Sequence, residues 1–120
     1  MPSLDDAALD APERGVLERA VERLRDELGT DLHGVWLYGS RARGERTGPE
    51  SDIDVLVVSS GEALRRISDL VDEVASELRV DPGWFSVHVV TPEHVTRRRE
   101  IESFFMREVD RDKIVLYGEP

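Results

Sequence analysis

Asp52 and Asp54 stand two residues apart at the head of an apolar run, Val55-Leu56-Val57-Val58, and upstream of them lies Gly39-Ser40-Arg41-Ala42-Arg43-Gly44. A packed core requires neither feature; phosphate chemistry requires both. Side chains alternate along a strand, so acids at i and i+2 share one face, roughly 6.6 Å apart along it. At an effective dielectric of about 20 their repulsion is on the order of 2–3 kcal/mol, a cost that a divalent cation between them removes. Mg²⁺ suits the pair, because it prefers oxygen ligands and is usually held by one or two carboxylates together with substrate phosphates. The Gly-Ser step supplies the complementary group. Where a helix starts, unpaired N–H groups and a partial positive charge, here with the Ser40 hydroxyl, can hold a nucleotide's phosphates, and Arg41 and Arg43 add positive charge beside them. Taken singly, a Gly-Ser step is an ordinary turn and acids at a strand entrance are ordinary solvated groups. In this order, each element meets a different need of one reaction.

Such residues act together only if the surrounding elements hold them. Val35-Trp36-Leu37-Tyr38 reads as a buried strand leading into the glycine, and Asp52 to Val58 as a second strand starting on the two acids. A helix is predicted to run to Leu28, capped by Asp10, with Pro12 in its first turn and Glu13 completing a capping box. Its apolar positions Val16, Leu17, Ala20, Val21, Leu24 and Leu28 recur at helical spacing, and Gly29 is placed to end it. Ser59-Ser60-Gly61 closes the second strand ahead of a helix from Glu62 to about Arg79, with the stripe Leu64, Ile67, Leu70, Val71, Val74 and Leu78. After the turn Asp81-Pro82-Gly83 come a third strand, Trp84 to Val90, and a helix start at Thr91-Pro92-Glu93. From His94 the pattern is less regular. Arg97-Arg98-Arg99-Glu100 reads as a solvated helix face or as a contact for phosphate or an acidic partner, followed by Ile101, Phe104, Phe105 and Val109. Ile114-Val115-Leu116-Tyr117-Gly118 is predicted to be a last strand or a packed edge. The fold class is therefore α/β or α+β, a small sheet of about four strands packed against helices, with strand directions left open.

At 120 residues the chain is expected to form one domain over residues 1–120, with a loose polar start over 1–9 and no room for a separate substrate-binding domain. Whatever receives a nucleotide must then bring its own recognition surface. The net charge of −10 argues against a nucleic-acid partner, since such binding gains from basic groups displacing counterions at phosphates. No apolar run approaches a membrane span and the start of the chain lacks the basic and apolar regions of a signal peptide, which predicts a cytoplasmic protein. The absence of cysteine excludes disulfides and thiolate zinc sites.

The string GSRARGERTGPESDIDVLVV resembles the signature of the minimal nucleotidyltransferases, small members of the DNA polymerase beta-like superfamily, in which Gly-Ser is followed after a loop by Asp-x-Asp. The resemblance implies the nucleotidyltransferase fold, a mixed sheet with the loop and the acid pair side by side. It also implies that Gly39 and Ser40 grip nucleotide phosphates while Asp52 and Asp54 bind Mg²⁺. Eleven residues separate Ser40 from Asp52, one more than is usual in the minimal family, and Thr47-Gly48-Pro49 is the turn where an extra residue is absorbed cheaply. The superfamily commonly carries a third carboxylate on a neighbouring strand. The third strand here holds neither Asp nor Glu, and His88 stands in that place. A neutral imidazole can bind a metal but brings no negative charge and suits softer ions than Mg²⁺; the alternative for His88 is a strand histidine hydrogen-bonded to its surroundings.

By this resemblance the chain is a Mg²⁺-dependent enzyme that moves NMP, AMP from ATP, onto a hydroxyl and releases pyrophosphate. Minimal members are often antitoxins of two-gene pairs, beside a HEPN-domain ribonuclease toxin, and some modify a toxin tyrosine. The implied acceptor is a hydroxyl on a partner protein within a hetero-oligomer. The competing reading is a binding module of the same fold, with weak or no catalysis, that neutralises its partner by covering it.

Overall fold

The computed structural model describes residues 3–45, 52–61 and 64–120, with Leu64 described by its backbone alone. The Thr47-Gly48-Pro49 turn and the expected helix start at Glu62 lie outside those residues. Four strands, β1 (Leu32–Tyr38), β2 (Ile53–Ser59), β3 (Phe85–Val90) and β4 (Ile114–Gly118), form one sheet in the order β3-β2-β1-β4. β1 runs antiparallel to β2 and to β4, and β2 runs parallel to β3, so the sheet is mixed. A parallel pair needs a crossover connection, and α3 (Leu64–Glu77) lies in that connection.

Alternation along the strands divides the core in two. One face buries Val35, Leu37, Val55 and Val57 against Leu17, Ala20 and Leu24 of α1 (Ala11–Leu28) and Ile67, Leu70 and Val74 of α3. The other buries Trp36, Tyr38, Leu56 and Val58 against Val95 of α4 (Pro92–Glu100) and Met106 and Val109 of α5 (Phe104–Asp112). Asp54 lies between Ile53 and Val55 on β2, so alternation assigns it to the second face, the one covered by two nine-residue helices.

α1 follows its sequence signals closely. Asp10 Oδ1 accepts from the Glu13 amide and Glu13 Oε1 accepts from the Asp10 amide, both at 2.9 Å, and Gly29 at φ +53° ends the helix. Elsewhere tertiary packing moves the boundaries. β1 starts at Leu32 rather than Val35, because Leu32 is buried and pairs with Ser59. β3 starts at Phe85, since Asp81 caps a 3₁₀ turn over Pro82–Trp84. α3 ends at Glu77, and Leu78, assigned above to its apolar stripe, is exposed.

Two expectations need larger corrections. The start of the chain is not loose where it is described: Leu4–Asp6 form a 3₁₀ turn, and Leu4, Ala7 and Leu9 pack on the first core. After Thr91 there are two helices, not one. The chain breaks at Ile101–Ser103, where Glu102 adopts φ +52° and Ser103 Oγ accepts from the Met106 amide at 3.2 Å to open α5. The last segment pairs with β1 as an edge strand, as expected.

Candidate active site

The site is built where β1 leaves the sheet and β2 enters it. Tyr38, the last residue of β1, is paired in register with Asp54, so the next residue, Gly39, comes to lie against the Asp54 side chain. Gly39 has φ +78°, and a Cβ added there would collide with Asp54 Oδ2. Both conditions demand glycine. One turn of helix, α2 (Gly39–Ala42), then begins with Tyr38 as its N-cap residue, placing Ser40 in the first turn.

Asp52 immediately precedes β2 instead of starting it, so the strand-face argument covers Asp54 alone. The pair is coupled nonetheless. Burial raises the Asp54 carboxyl above its ordinary pKa, the charge of Asp52 raises it further, and His88 opposes the shift. Asp54 is half-buried and Asp52 exposed, and among the described residues neither carboxylate accepts a hydrogen bond or forms an ion pair. No side-chain oxygen among those residues is buried without a partner, so the Asp54 carboxylate reaches solvent. Two carboxylates that form no ion pair among the described residues offer the oxygen-donor chemistry that Mg²⁺ takes. Among the described residues no group of three or more His, Asp or Glu side chains is assembled to hold a metal. The pair therefore suits an ion whose remaining ligands are phosphate oxygens and water.

On β3, Ser86 pairs with Asp54 in register, and His88 pairs with Leu56, one pleat further along. His88 Nδ1 lies 2.6 Å from Tyr38 Oη. Burial, reinforced by the Asp54 charge, pushes the Tyr38 phenol up to about 12, so it keeps its proton, and we assign it as the donor in this contact. Nδ1 then accepts and the ring proton sits on Nε2. This contact agrees with the reading of His88 as a strand histidine hydrogen-bonded to its surroundings. Phe105 meets both rings edge-on, with centroids 5.7 Å from Tyr38 and 6.1 Å from His88. Sequence reasoning passed over Tyr38, Ser86 and Phe105. Alternation with Val35 and Leu37 was the available signal for Tyr38; for Phe105 there was none.

The two arginines of the motif are placed differently from expectation. Arg41 is 3% exposed, and its Nη1 donates to Glu13 Oε1 at 3.1 Å and to the Ala8 carbonyl at 2.9 Å. The Ala8 amide returns a bond to the Arg41 carbonyl at 2.8 Å. The guanidinium charge is thus balanced by Glu13 inside the fold, and Arg41 ties the chain's start and α1 to the Gly-Ser turn. Arg43 is more exposed, and its guanidinium pairs with Asp112 at 3.0 Å and Glu45 at 3.3 Å. Both guanidiniums are engaged by carboxylates, Arg41 by Glu13 and Arg43 by Asp112 and Glu45.

A family profile described as a nucleotidyltransferase domain matches residues 17–118. Among solved structures the chain is similar to a toxin–antitoxin with AMP-PNP, at 23% identity over 85% of this chain and 73% of that one, with a TM-score of 0.52. It is also similar to a mutant of the toxin–antitoxin MntA-HpeT, at 24% identity over 84% and 71% of the two chains, TM-score 0.51. A candidate nucleotidyltransferase from Sulfolobus solfataricus matches at 21% identity over 90% and 84%, TM-score 0.50. At these identities the likeness is one of fold. No curated protein matches.

Proposed function

The chain belongs to the nucleotidyltransferase domain family, and from that premise we propose that it is a Mg²⁺-dependent transferase moving AMP from ATP onto a hydroxyl of a partner protein. The observation that carries this reading is the contact of the Gly39 backbone with the Asp54 carboxylate, which brings the turn and the acid together. A phosphate gripped by the turn's amides and the Ser40 hydroxyl would lie beside the carboxylates of Asp54 and Asp52. These two acids would hold the ion, which when bound neutralises phosphate charge and aligns the leaving pyrophosphate. The acceptor oxygen bonds to the α-phosphorus as its bond to pyrophosphate breaks, and the hydroxyl proton is released. Glycine at 39 lets the turn approach Asp54 closely, and the pairing of Tyr38 with Asp54 sets that acid against the turn.

The partner proposed is a HEPN-type toxin, with this chain as its antitoxin in a hetero-oligomeric pair. Support comes from the sequence signature and from fold neighbours that are toxin–antitoxin structures, one of them with AMP-PNP. We take residues 1–120 to act as one domain, and the cytoplasm as its location; no helix among the described residues is long and apolar enough to cross a membrane. A second reading, a weak or inactive binding module, is favoured by the lack of a third acidic or imidazole ligand among those residues. Incubation of a co-expressed HEPN-type partner with α-labelled ATP separates the two. Label on the partner that disappears with Asp52→Asn plus Asp54→Asn supports transfer, whereas undiminished labelling by that double variant refutes it. Neutralisation of the partner by the wild type with no label attached selects the second reading.

A further inference from the structure

Among the described residues four large apolar side chains are exposed, and three fall within five positions: Ile101 at 62%, Phe104 at 78% and Phe105 at 45%. They cluster at the corner where α4 gives way to α5. Isolated exposed apolar residues need no explanation, but a contiguous group does. The corner is continuous with the candidate site, since Phe105 packs edge-on against Tyr38, whose backbone is paired with Asp54. Whatever covers Phe105 lies next to Tyr38, the residue paired with Asp54.

The charge around the corner is unlike that of the rest of the chain. Residues 92–113 hold six basic and six acidic side chains, so this helix pair is neutral and the remainder carries the whole −10. A cleft of about 230 Å³ between α4 and α5 is lined by Arg98, Arg99, Glu102, Met106, Arg107 and Asp110. Asp110 is already engaged by Arg99 and Lys113. Arg107 makes no ion pair among the described residues, nor does Arg97, and Arg98 only donates to His94 Nε2. On α5, Arg107 lies three positions after Phe104, so that apolar anchor shares a helix face with a guanidinium, and Ile101 follows directly on the end of α4.

We infer that the α4–α5 corner is the docking surface for the acceptor protein, a partner that presents acidic side chains around an apolar or aromatic anchor. The inference rests on the transferase reading, because it places the acceptor's hydroxyl beside Asp54. A second copy of this chain is disfavoured as the occupant, since a symmetric contact sets the guanidiniums of one copy against those of the other.

A dye-labelled random copolymer of glutamate and tyrosine, followed by fluorescence anisotropy without ATP, is a suitable probe. The wild type should bind it with an affinity that falls with added salt, and should not bind a lysine–tyrosine copolymer. Phe104→Ser and Arg107→Glu should each weaken binding, together by about tenfold or more, with unfolding midpoints unchanged because both side chains are exposed. Binding by the Phe104→Ser/Arg107→Glu variant equal to wild type, or no binding by the wild type, overturns the inference. So does a dimer of the free chain that Phe104→Ser dissociates. The assay needs no turnover, so retained docking without nucleotide transfer fails the transferase reading alone.

Discussion

The α-carbon of Gly39 faces the carboxylate of Asp54 so closely that the smallest side chain would overlap Asp54 Oδ2. Two strands bring them together: β1 ends at Tyr38 directly opposite Asp54, and the left-handed Gly39 carries the chain into α2 without moving away from the acid.

Gly39→Ala should therefore cost more than backbone strain. Gly61 is a natural control, with φ +88° and nothing within 4 Å of an added Cβ. Strain alone, on the order of 1–3 kcal/mol, is expected for Gly61→Ala with nucleotide transfer retained. Gly39→Ala should show a larger loss in urea unfolding and lose transfer. Equal effects of the two substitutions on transfer would contradict the close approach to Asp54.

The buried pair Arg41–Glu13 makes a different demand. Arg41→Met removes the guanidinium that faces the enclosed Glu13 carboxylate, and a loss of about 3–5 kcal/mol is expected. Arg41→Met combined with Glu13→Gln should recover a good part of that loss in a double-mutant cycle, because no uncompensated charge remains. Purely additive losses would show that the two side chains do not act as a pair.

For Asp54 the sign of the pH dependence follows from the raised carboxyl. Its folded pKa lies above its unfolded value, so folding binds the proton more tightly, and stability falls as pH rises from the ordinary carboxylate value through the raised one. Asp54→Asn should accordingly be more stable than wild type at neutral pH, and the difference should vanish in acid, below the ordinary carboxylate range. Mg²⁺ with AMP-PNP should raise the unfolding midpoint of the wild type and leave that of Asp54→Asn almost unchanged. An Asn variant less stable than wild type at pH 7 would refute the account of the shift.

Tyr38→Phe removes the donor to His88 Nδ1. Long-range ¹H–¹⁵N NMR of the wild type should show the His88 proton on Nε2, and the Phe variant should show a mixture of tautomers. The stability cost should be about 1 kcal/mol, that of one hydrogen bond. An Nδ1-protonated ring in the wild type would reverse the assigned donor and acceptor.

Much of the fold was legible because its signals are local. Asp10 and Glu13 are three residues apart and Gly29 directly follows Leu28, so the cap, the apolar stripe and the stop of α1 are all written within reach of the elements they define. The strands could be found by composition, though not their directions, which depend on pairings between distant residues. The break at Glu102 was hidden, since φ +52° in a non-glycine residue carries no composition signal and is imposed by how α4 and α5 pack on the second face.

By itself the sequence determined the inventory of the site: a glycine that can turn left-handed, a serine behind it, and two acids at the mouth of an apolar strand. Only the tertiary structure decided which charges remain available. Arg41 and Glu13 meet across 28 residues, and Tyr38 and His88 across 50, so the first arginine of the motif became a brace and the strand histidine a hydrogen-bond acceptor. Spacing along a chain governs what neighbours can do together, but the burial and pairing of a charge depend on residues brought near by folding, and those set its energy.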